Sequence, residues 1–321
     1  MKKRVLIIGA GVNKEIHAEI GLGSELLKDI SDRVTDITSP DSRDKYFSNL
    51  LSKINIKQPV KEKFVGDIIR YKIYSEYASI DDFLHKVESL NEFKDYKDEY
   101  RRIAKISIVF HVLGYEGTTT QDNILEDIRN RKTWFSLLSA YINNDVFRNK
   151  NTDFNIITFN YDRIVEEYLL KSFQKDDSII KFINENIHHV YGRIGCLDKL
   201  IQRDLINGEK ETLIRFGLPN DQIETIAKNI NQINLVYEER DVNSSIKKII
   251  KEADEILIMG YGFDYINNIK IGLDQLKRNT TIKIAVYPTD SSNKKEKIEA
   301  FFSNATIDRS TCTEFFNHHF S

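Results

Sequence analysis

Residues 4–11 read Arg-Val-Leu-Ile-Ile-Gly-Ala-Gly, an apolar run that leads directly into Gly9, Ala10 and Gly11. A β-branched and apolar run bounded by glycine predicts a buried strand of a parallel sheet. Glycines at the carboxyl end of such a strand let the backbone approach a phosphate group, which the dipole of a following helix also favours. The stretch therefore predicts a strand over 4–8 and a nucleotide-binding loop after it. A turn that needs glycine only for packing is the alternative.

Further strand signals recur in the second half of the chain as β-branched or aromatic runs. They cover residues 154–159, 187–191, 234–237, 255–259 and 281–287. Amphipathic helical stretches separate most of them, over 162–173, 219–229, 244–253 and 266–276. Strands that alternate with helices predict an α/β fold with a mostly parallel, Rossmann-like sheet and helices on both faces.

The stretch between the first and second strands has a different pattern. From about 41 to 150, apolar residues recur at helical spacing beside charged faces, and strand signals are nearly absent. A length of 321 residues also favours two domains. We therefore expect a discontinuous α/β domain over 1–40 and 151–321, with an inserted all-helical module over 41–150.

Composition excludes several classes of protein. A net charge of −2 provides no bulk positive field, so sequence-specific binding to nucleic acid is not expected. The two cysteines exclude a disulfide framework and a four-cysteine zinc ribbon, and we expect no bound metal. No run of about 18 apolar residues occurs, so we expect no membrane span and a cytoplasmic protein.

Polar residues follow the second predicted strand. The motif there reads Thr158-Phe159-Asn160-Tyr161-Asp162, at the strand end where parallel sheets bind ligands. The amide of Asn160 can donate and accept hydrogen bonds, and Asp162 places a carboxylate at a helix N-terminus. Helix capping is the alternative role for this pair.

The third predicted strand carries two histidines. Because side chains alternate along a strand, His189 and Tyr191 are expected to share one face and His188 to lie on the other. Gly192 follows directly. A packed or surface histidine is the alternative.

Two more glycine clusters complete the candidate site. Gly21 and Gly23 precede Ser24, which is able to cap a helix. Gly260, Gly262 and Phe263 follow the predicted strand 255–259, and Asn267 comes shortly after. Plain turns and caps are again the alternatives.

As an ordered set, these motifs resemble the sirtuin-like family, in particular its bacterial branch of antiphage-defence NAD hydrolases. The matching stretches are 9–11, 21–23, 79–84, 158–162 and 258–263 with Asn267. Asn13 stands where the family usually has serine. Tyr191 stands where the family usually has a histidine before glycine, so the catalytic histidine is carried over to His189. The zinc-binding cysteines of protein-deacetylating sirtuins are missing, which favours NAD hydrolysis.

The resemblance implies an NAD⁺ hydrolase that cleaves the nicotinamide–ribose bond and depletes NAD in abortive infection. Asn160 would orient water and ribose hydroxyls, Asp162 would accept from the nicotinamide carboxamide, and His189 would be the general base. The expected NAD-binding residues are Gly9, Ala10, Gly11, Asn13, Gly21, Gly23, Ser24, Thr158, Phe159, Tyr191, Gly192, Gly260, Gly262, Phe263 and Asn267.

The same resemblance implies partners. They are further copies of the chain, or a second defence protein that senses infection, such as an ATPase, a nucleotide-processing enzyme or an Argonaute-type protein. Two other functions stay open. One is a non-catalytic subunit that senses NAD or ADP-ribose, a reading favoured by Tyr191. The other is a zinc-free sirtuin-like deacylase.

Overall fold

The computed structural model describes residues 1–15, 42–74, 80, 83–84, 95–121, 125, 130–150, 152–198, 200, 210–235, 244–290 and 292–320. Within these residues, six strands form one parallel sheet. The strands are β1 (Lys2–Ile8), β2 (Thr152–Thr158), β3 (Ile187–His189), β4 (Glu255–Met259), β5 (Thr281–Val286) and β6 (Thr306–Arg309). Their order is β3-β2-β1-β4-β5-β6, and all neighbours are parallel.

Helices connect the strands. They are α1 (Ser42–Lys53), α2 (Gln58–Tyr74), α3 (Lys97–Gln121), α4 (Trp134–Tyr141), α5 (Ile164–Ser172), α6 (Asp177–Asn186), α7 (Ile223–Lys228), α8 (Ser244–Glu252), α9 (Tyr265–Ile271), α10 (Ser292–Phe301) and α11 (Cys312–His319). A 3₁₀ turn spans Ala10–Glu15 and a π-helical segment spans Ile142–Arg148. None of the helices in the described ranges combines the length and apolarity needed to cross a membrane.

The central position of β1 explains its apolar sequence. It pairs with β2 on one side and β4 on the other, so both of its edges are hydrogen-bonded within the sheet. Leu6 and Ile8 pack with α4, α5, α6 and α11, whereas Val5 and Ile7 pack with α8, α9 and α10. The chain leaves β1 towards β2 and later returns on the other side as β4. This reversal makes the carboxyl ends of β1, β2 and β4 the topological switch point, where open α/β sheets bind ligands.

Two apolar clusters thus cover the two faces of the sheet. A third lies among helices α1, α2 and α3, and it also includes residues from 194–235. Among the described residues between 42 and 150, every element is helical, as expected. Helix α4 nevertheless packs in the sheet cluster with Leu6 and Ile8 rather than in the helical one. The division of the chain at residues 40 and 150 stays a prediction.

The predicted parallel α/β architecture is confirmed, and the strand 255–259 matches β4. Three details were wrong. Asn234 and Leu235 are not in a strand, and residues 236–237 lie outside the described ranges. The third strand ends at His189, so Tyr191 lies in a turn. Strand β6 was missed, because its four residues form a partly exposed edge without an alternating pattern.

A buried ion pair joins the helical region to the α/β region. Glu116 of α3 accepts hydrogen bonds from Arg163 Nε at 3.0 Å and Nη2 at 2.6 Å, and both side chains are 0% exposed. Arg163 Nη1 also donates to the Ile214 carbonyl at 2.6 Å. Each charge is therefore satisfied inside the protein.

Removal of one partner from this pair is expected to destabilise the fold. Glu116→Gln leaves the Arg163 guanidinium buried without a full counter-charge, so the free energy of unfolding should fall by about 3–5 kcal/mol. Glu224→Gln is the matched control, because Glu224 pairs with Lys53 at the surface and its loss should change stability little. Denaturant unfolding measures both. Equal effects of the two variants would contradict the importance of the buried pair.

Candidate active site at the carboxyl ends of β1, β2 and β4

The loops after β1 and β4 contact each other through backbone atoms. The Gly9 N–H donates to the Met259 carbonyl at 3.1 Å, and the Gly11 N–H donates to the Gly260 carbonyl at 3.0 Å. A Cβ atom on Gly9 would lie 2.7 Å from the Gly260 oxygen. Tight packing thus accounts for these glycines by itself. Their contact with a phosphate stays a prediction.

Gly260 is the most constrained of these glycines. Its φ is +59°, and a Cβ atom would lie 2.3 Å from the Val12 nitrogen. Gly262, two residues later, has open space around it. The two glycines of one loop therefore differ in what they tolerate.

We expect Gly260→Ala to lower the free energy of unfolding by more than about 2 kcal/mol, because it adds a left-handed alanine to a backbone clash. Gly262→Ala should leave stability nearly unchanged. Thermal unfolding of the two variants beside wild type measures the difference. A stable Gly260→Ala protein would show that the two loops can separate without cost.

Asn13 connects the first loop to the start of α5. Its Nδ2 donates to Asp162 Oδ2 at 2.9 Å, and the residue is 1% exposed. Its Oδ1 is buried and has no hydrogen-bond partner in the described part of the chain. Asp162 Oδ1 accepts from the Ile164 N–H at 3.2 Å, so the carboxylate also caps α5. The predicted site residues Asn13 and Asp162 therefore lie in direct contact.

The environment of Asp162 opposes its ionisation. Burial raises the pKa of Asp162 to about 6, and the nearby carboxylates of Glu116 and Glu166 act in the same direction. The Ile164 N–H and the His189 ring act in the opposite direction without overcoming burial. A carboxyl with this pKa can change its charge near neutral pH.

The raised pKa predicts a pH-dependent effect on stability. The folded protein holds the Asp162 proton more tightly than the unfolded chain, so ionisation lowers stability as pH rises from about 4 to 6. Asp162→Asn removes this cost, and the gain should reach at most about 3 kcal/mol at pH 7.5 and be much smaller at pH 4.5. Thermal unfolding at both pH values measures it, with surface Asp221→Asn as control. The same gain at both pH values would contradict the raised pKa.

The backbone of Asn160 is hydrogen-bonded at both its N–H and its carbonyl, whereas its side chain makes no such bond within the described ranges. Its N–H donates to Thr158 Oγ1 at 3.0 Å, and its carbonyl accepts from His189 Nδ1 at 2.8 Å. Among the described residues, nothing makes a hydrogen bond to its carboxamide, and the residue is only 7% exposed. The amide of Asn160 is thus held at the switch point and left available for a ligand. Thr158, predicted to bind NAD, serves here to hold Asn160.

His189 lies in a buried chain of charged groups. Its Nε2 contacts Glu166 Oε1 at 2.7 Å, and Arg193 Nη1 donates to the same oxygen at 3.2 Å. Arg193 Nε and Nη2 donate to the two oxygens of Glu211 at 2.8 and 2.9 Å. Side-chain exposure is 1% for His189 and Glu166, 2% for Arg193 and 6% for Glu211.

These buried charged groups shift one another's pKa values. Burial by itself would raise the pKa of Glu166, but the charge and hydrogen bond of His189, together with the charge of Arg193, lower it to about 2. The Glu211 carboxylate raises the pKa of Arg193 against the effect of its burial. Glu166 and Arg193 therefore stay ionised inside the protein.

Aromatic side chains line the other side of the switch point. Tyr191 donates to Asn267 Oδ1, and its ring lies 5.9 Å from that of Phe159. Phe159 stacks on Tyr261 at 4.7 Å between ring centroids. Phe263 has a φ of +56°, a left-handed conformation that is rare for a bulky residue. The sequence motifs after β2, β3 and β4 thus meet in one aromatic wall.

The expected shared face of His189 and Tyr191 was wrong. His189 contacts Glu166 of α5 on one face of the sheet, whereas Tyr191 packs with Val5 and Ile7 on the other. The reason is that β3 ends at His189, so the alternation of a strand does not continue to Tyr191. Gly192 has a φ of +75°, and a Cβ there would lie 2.2 Å from the Gln232 oxygen.

Of the predicted site residues, Gly21, Gly23 and Ser24 lie outside the described residues. The others lie at the carboxyl ends of β1, β2, β3 and β4, or in the turns and first helical residues that follow. Sequence reasoning missed Glu166, Arg193 and Glu211. Gly192 and Gly195, which flank Arg193 and adopt positive φ, indicate a turn there but not a buried ion pair. In the described ranges, no group of three or more His, Cys, Asp or Glu residues is placed to hold a metal ion.

Two solved structures have low overall similarity to this chain. No protein-family model matches the sequence, and no curated protein matches it. A solved structure of Sir2Tm bound to a propionylated peptide has 10% identity and a TM-score of 0.41, covering 98% of this chain and 90% of that one. A second, from work on sirtuin substrate affinity, has 12% identity and a TM-score of 0.40, covering 98% and 91%.

Proposed function

We propose that the protein is an NAD⁺ hydrolase that cleaves the bond between nicotinamide and ribose. The observation that carries the proposal is the Asn160 carboxamide, which is available at the switch point while the backbone N–H and carbonyl of Asn160 are both hydrogen-bonded. The order of the sequence motifs supports the same activity. Water is the second reactant, and nicotinamide and ADP-ribose are the products.

The reaction places few chemical demands on the protein. The C1′–N bond breaks and its electron pair neutralises the pyridinium, so nicotinamide leaves without a general acid. Water adds to C1′ and releases one proton to solvent. The remaining barrier is the positive charge that develops on the ribose, which is lowered by oriented dipoles and by exclusion of bulk water.

The residues of the site fit NAD⁺ in three respects. The free amide of Asn160 can orient a water molecule or a ribose hydroxyl. The buried Oδ1 of Asn13 and the Asp162 carboxylate are two acceptors for the N–H groups of a carboxamide. The rings of Phe159 and Tyr191 form an apolar wall that limits access of bulk water.

The first loop offers fewer backbone N–H groups to a phosphate than the sequence implied. The N–H groups of Gly9, Gly11 and Val12 all donate to backbone carbonyls of the protein. Binding of the pyrophosphate by Ala10 and by the later turn at Gly262 belongs to the proposal.

A sensor of NAD or ADP-ribose is the second candidate. Both ring nitrogens of His189 contact acceptors of the protein, which leaves this histidine without a free nitrogen for the substrate. A binding module needs no base, so the observation suits it. Incubation of purified protein with NAD⁺ separates the two, because only the hydrolase releases nicotinamide.

The biological role is a further part of the proposal and rests on the motifs alone. The protein would act in the cytoplasm as an NAD-depleting effector of antiphage defence. Self-association or a second, infection-sensing protein would control it. Expression in cells with total NAD followed over time tests this role, since an effector without its signal can be silent when purified.

Asn160→Ala should abolish nicotinamide release, by at least about 100-fold, because it removes the oriented amide. The fold should persist, since the Asn160 peptide keeps its contacts with Thr158 and His189. Asn304→Ala, at an exposed position before β6, is the matched control and should be fully active. Chromatography of nicotinamide and thermal unfolding are the measurements. A folded Asn160→Ala protein with normal activity would refute the proposed role of this residue.

A further inference from the structure

We infer that His189 is a positioning residue that acts through Asn160, and that Glu166, Arg193 and Glu211 hold it in place. The inference rests on the proposed hydrolase function. It differs from the general-base role that the sequence motif implies for His189.

Both nitrogens of the His189 imidazole contact hydrogen-bond acceptors of the protein. Nδ1 lies 2.8 Å from the Asn160 carbonyl oxygen, and Nε2 lies 2.7 Å from the Glu166 carboxylate. Both of these partners accept hydrogen bonds and neither donates. A general base needs a nitrogen lone pair within reach of the substrate or of a water molecule. In this structure both nitrogens face the protein, and the side chain is 1% exposed.

The His189 ring holds the backbone of Asn160. The Asn160 N–H donates to Thr158 and its carbonyl accepts from His189, so the peptide groups on both sides of its α-carbon are held by hydrogen bonds. These bonds fix the position of the α-carbon from which the Asn160 carboxamide extends. A misplacement of about 1 Å in a positioning group can cost about 100-fold in rate. The hydrogen bond from Nδ1 is therefore the contact that matters for the reaction.

His189 is itself held by neighbouring charged residues. Glu166 binds both His189 and Arg193, and Arg193 is held by two hydrogen bonds to Glu211. Glu166 lies on α5, which begins just after Asp162, whereas Arg193 lies in the turn after β3. These ion pairs thus connect three separate segments to the Asn160 carbonyl through His189.

Two amide substitutions separate the roles of the two ring nitrogens. An asparagine side chain places its amide nitrogen near the position of Nδ1, whereas a glutamine places it near Nε2. We expect His189→Asn to keep activity within about tenfold of wild type, and His189→Gln and His189→Ala to lose about 100-fold. The losses should fall on kcat, with KM for NAD⁺ nearly unchanged. If His189 is the general base, all three variants are equally inactive, because an amide accepts no proton.

A pH profile gives a second readout, which separates a positioning His189 from a general base. A positioning His189 predicts that wild type and His189→Asn share the same pH dependence of kcat. Loss of the acidic limb of that profile in His189→Asn would overturn the inference in favour of a base. If His189→Gln and His189→Ala do not fold, the comparison of wild type with His189→Asn still decides.

Failure of the proposed function has a different signature. A folded wild type that releases no nicotinamide, alone or in cells, contradicts the hydrolase and leaves the variants to be compared by their affinity for ADP-ribose. The inference then expects Asn160→Ala and His189→Gln to weaken binding and His189→Asn to preserve it. Equal affinities of His189→Gln and His189→Asn would overturn it. An active wild type with an inactive but folded His189→Asn contradicts the inference alone.

Discussion

Gly260 has room for a hydrogen atom on its α-carbon and for nothing larger, and much of the candidate site depends on that constraint. Because the loops after β1 and β4 touch through their backbones, the 3₁₀ turn at Ala10–Glu15 is held against the end of the sheet. From there the Val12 carbonyl accepts from the Trp134 indole at 3.2 Å, and Asn13 reaches Asp162. Two loops that are distant in sequence are thereby fixed relative to the end of β2.

Strands in the sheet interior could be predicted from sequence, whereas edge and loop segments could not. Residues 256–259 are all apolar because β4 is covered on both faces, and this produces an unambiguous signal. The run 234–237 looked similar, but Ile233 and Leu235 pack among helices, and the Asn234 N–H donates to the Tyr191 carbonyl outside any strand. A short apolar run indicates burial, and a buried loop can produce it as well as a strand can.

Candidate ligand-contacting residues could be found from their place at strand ends, because parallel sheets gather those ends together. Asn160 and Asp162 were identified in this way, whereas Asn13 was identified from the family resemblance. Asn13 and Asp162 prove to be hydrogen-bonded to each other. Glu166 and Arg193 could not be found, since a charged residue in a sequence reads as a surface residue unless its partners are known. Only the three-dimensional pairing of these charges permits their burial, and that pairing also determines what His189 can do.

The ion pair between Glu116 and Arg163 restricts how such a protein can change over evolutionary time. The helical region carries the carboxylate and the α/β region carries the guanidinium, and each would be left as an uncompensated charge if the other were replaced. Helix α3 therefore cannot be replaced by an unrelated helical segment while Arg163 is kept. Related chains should either retain both residues or have replaced both with apolar residues of similar volume, so that substitutions at positions 116 and 163 are inherited together.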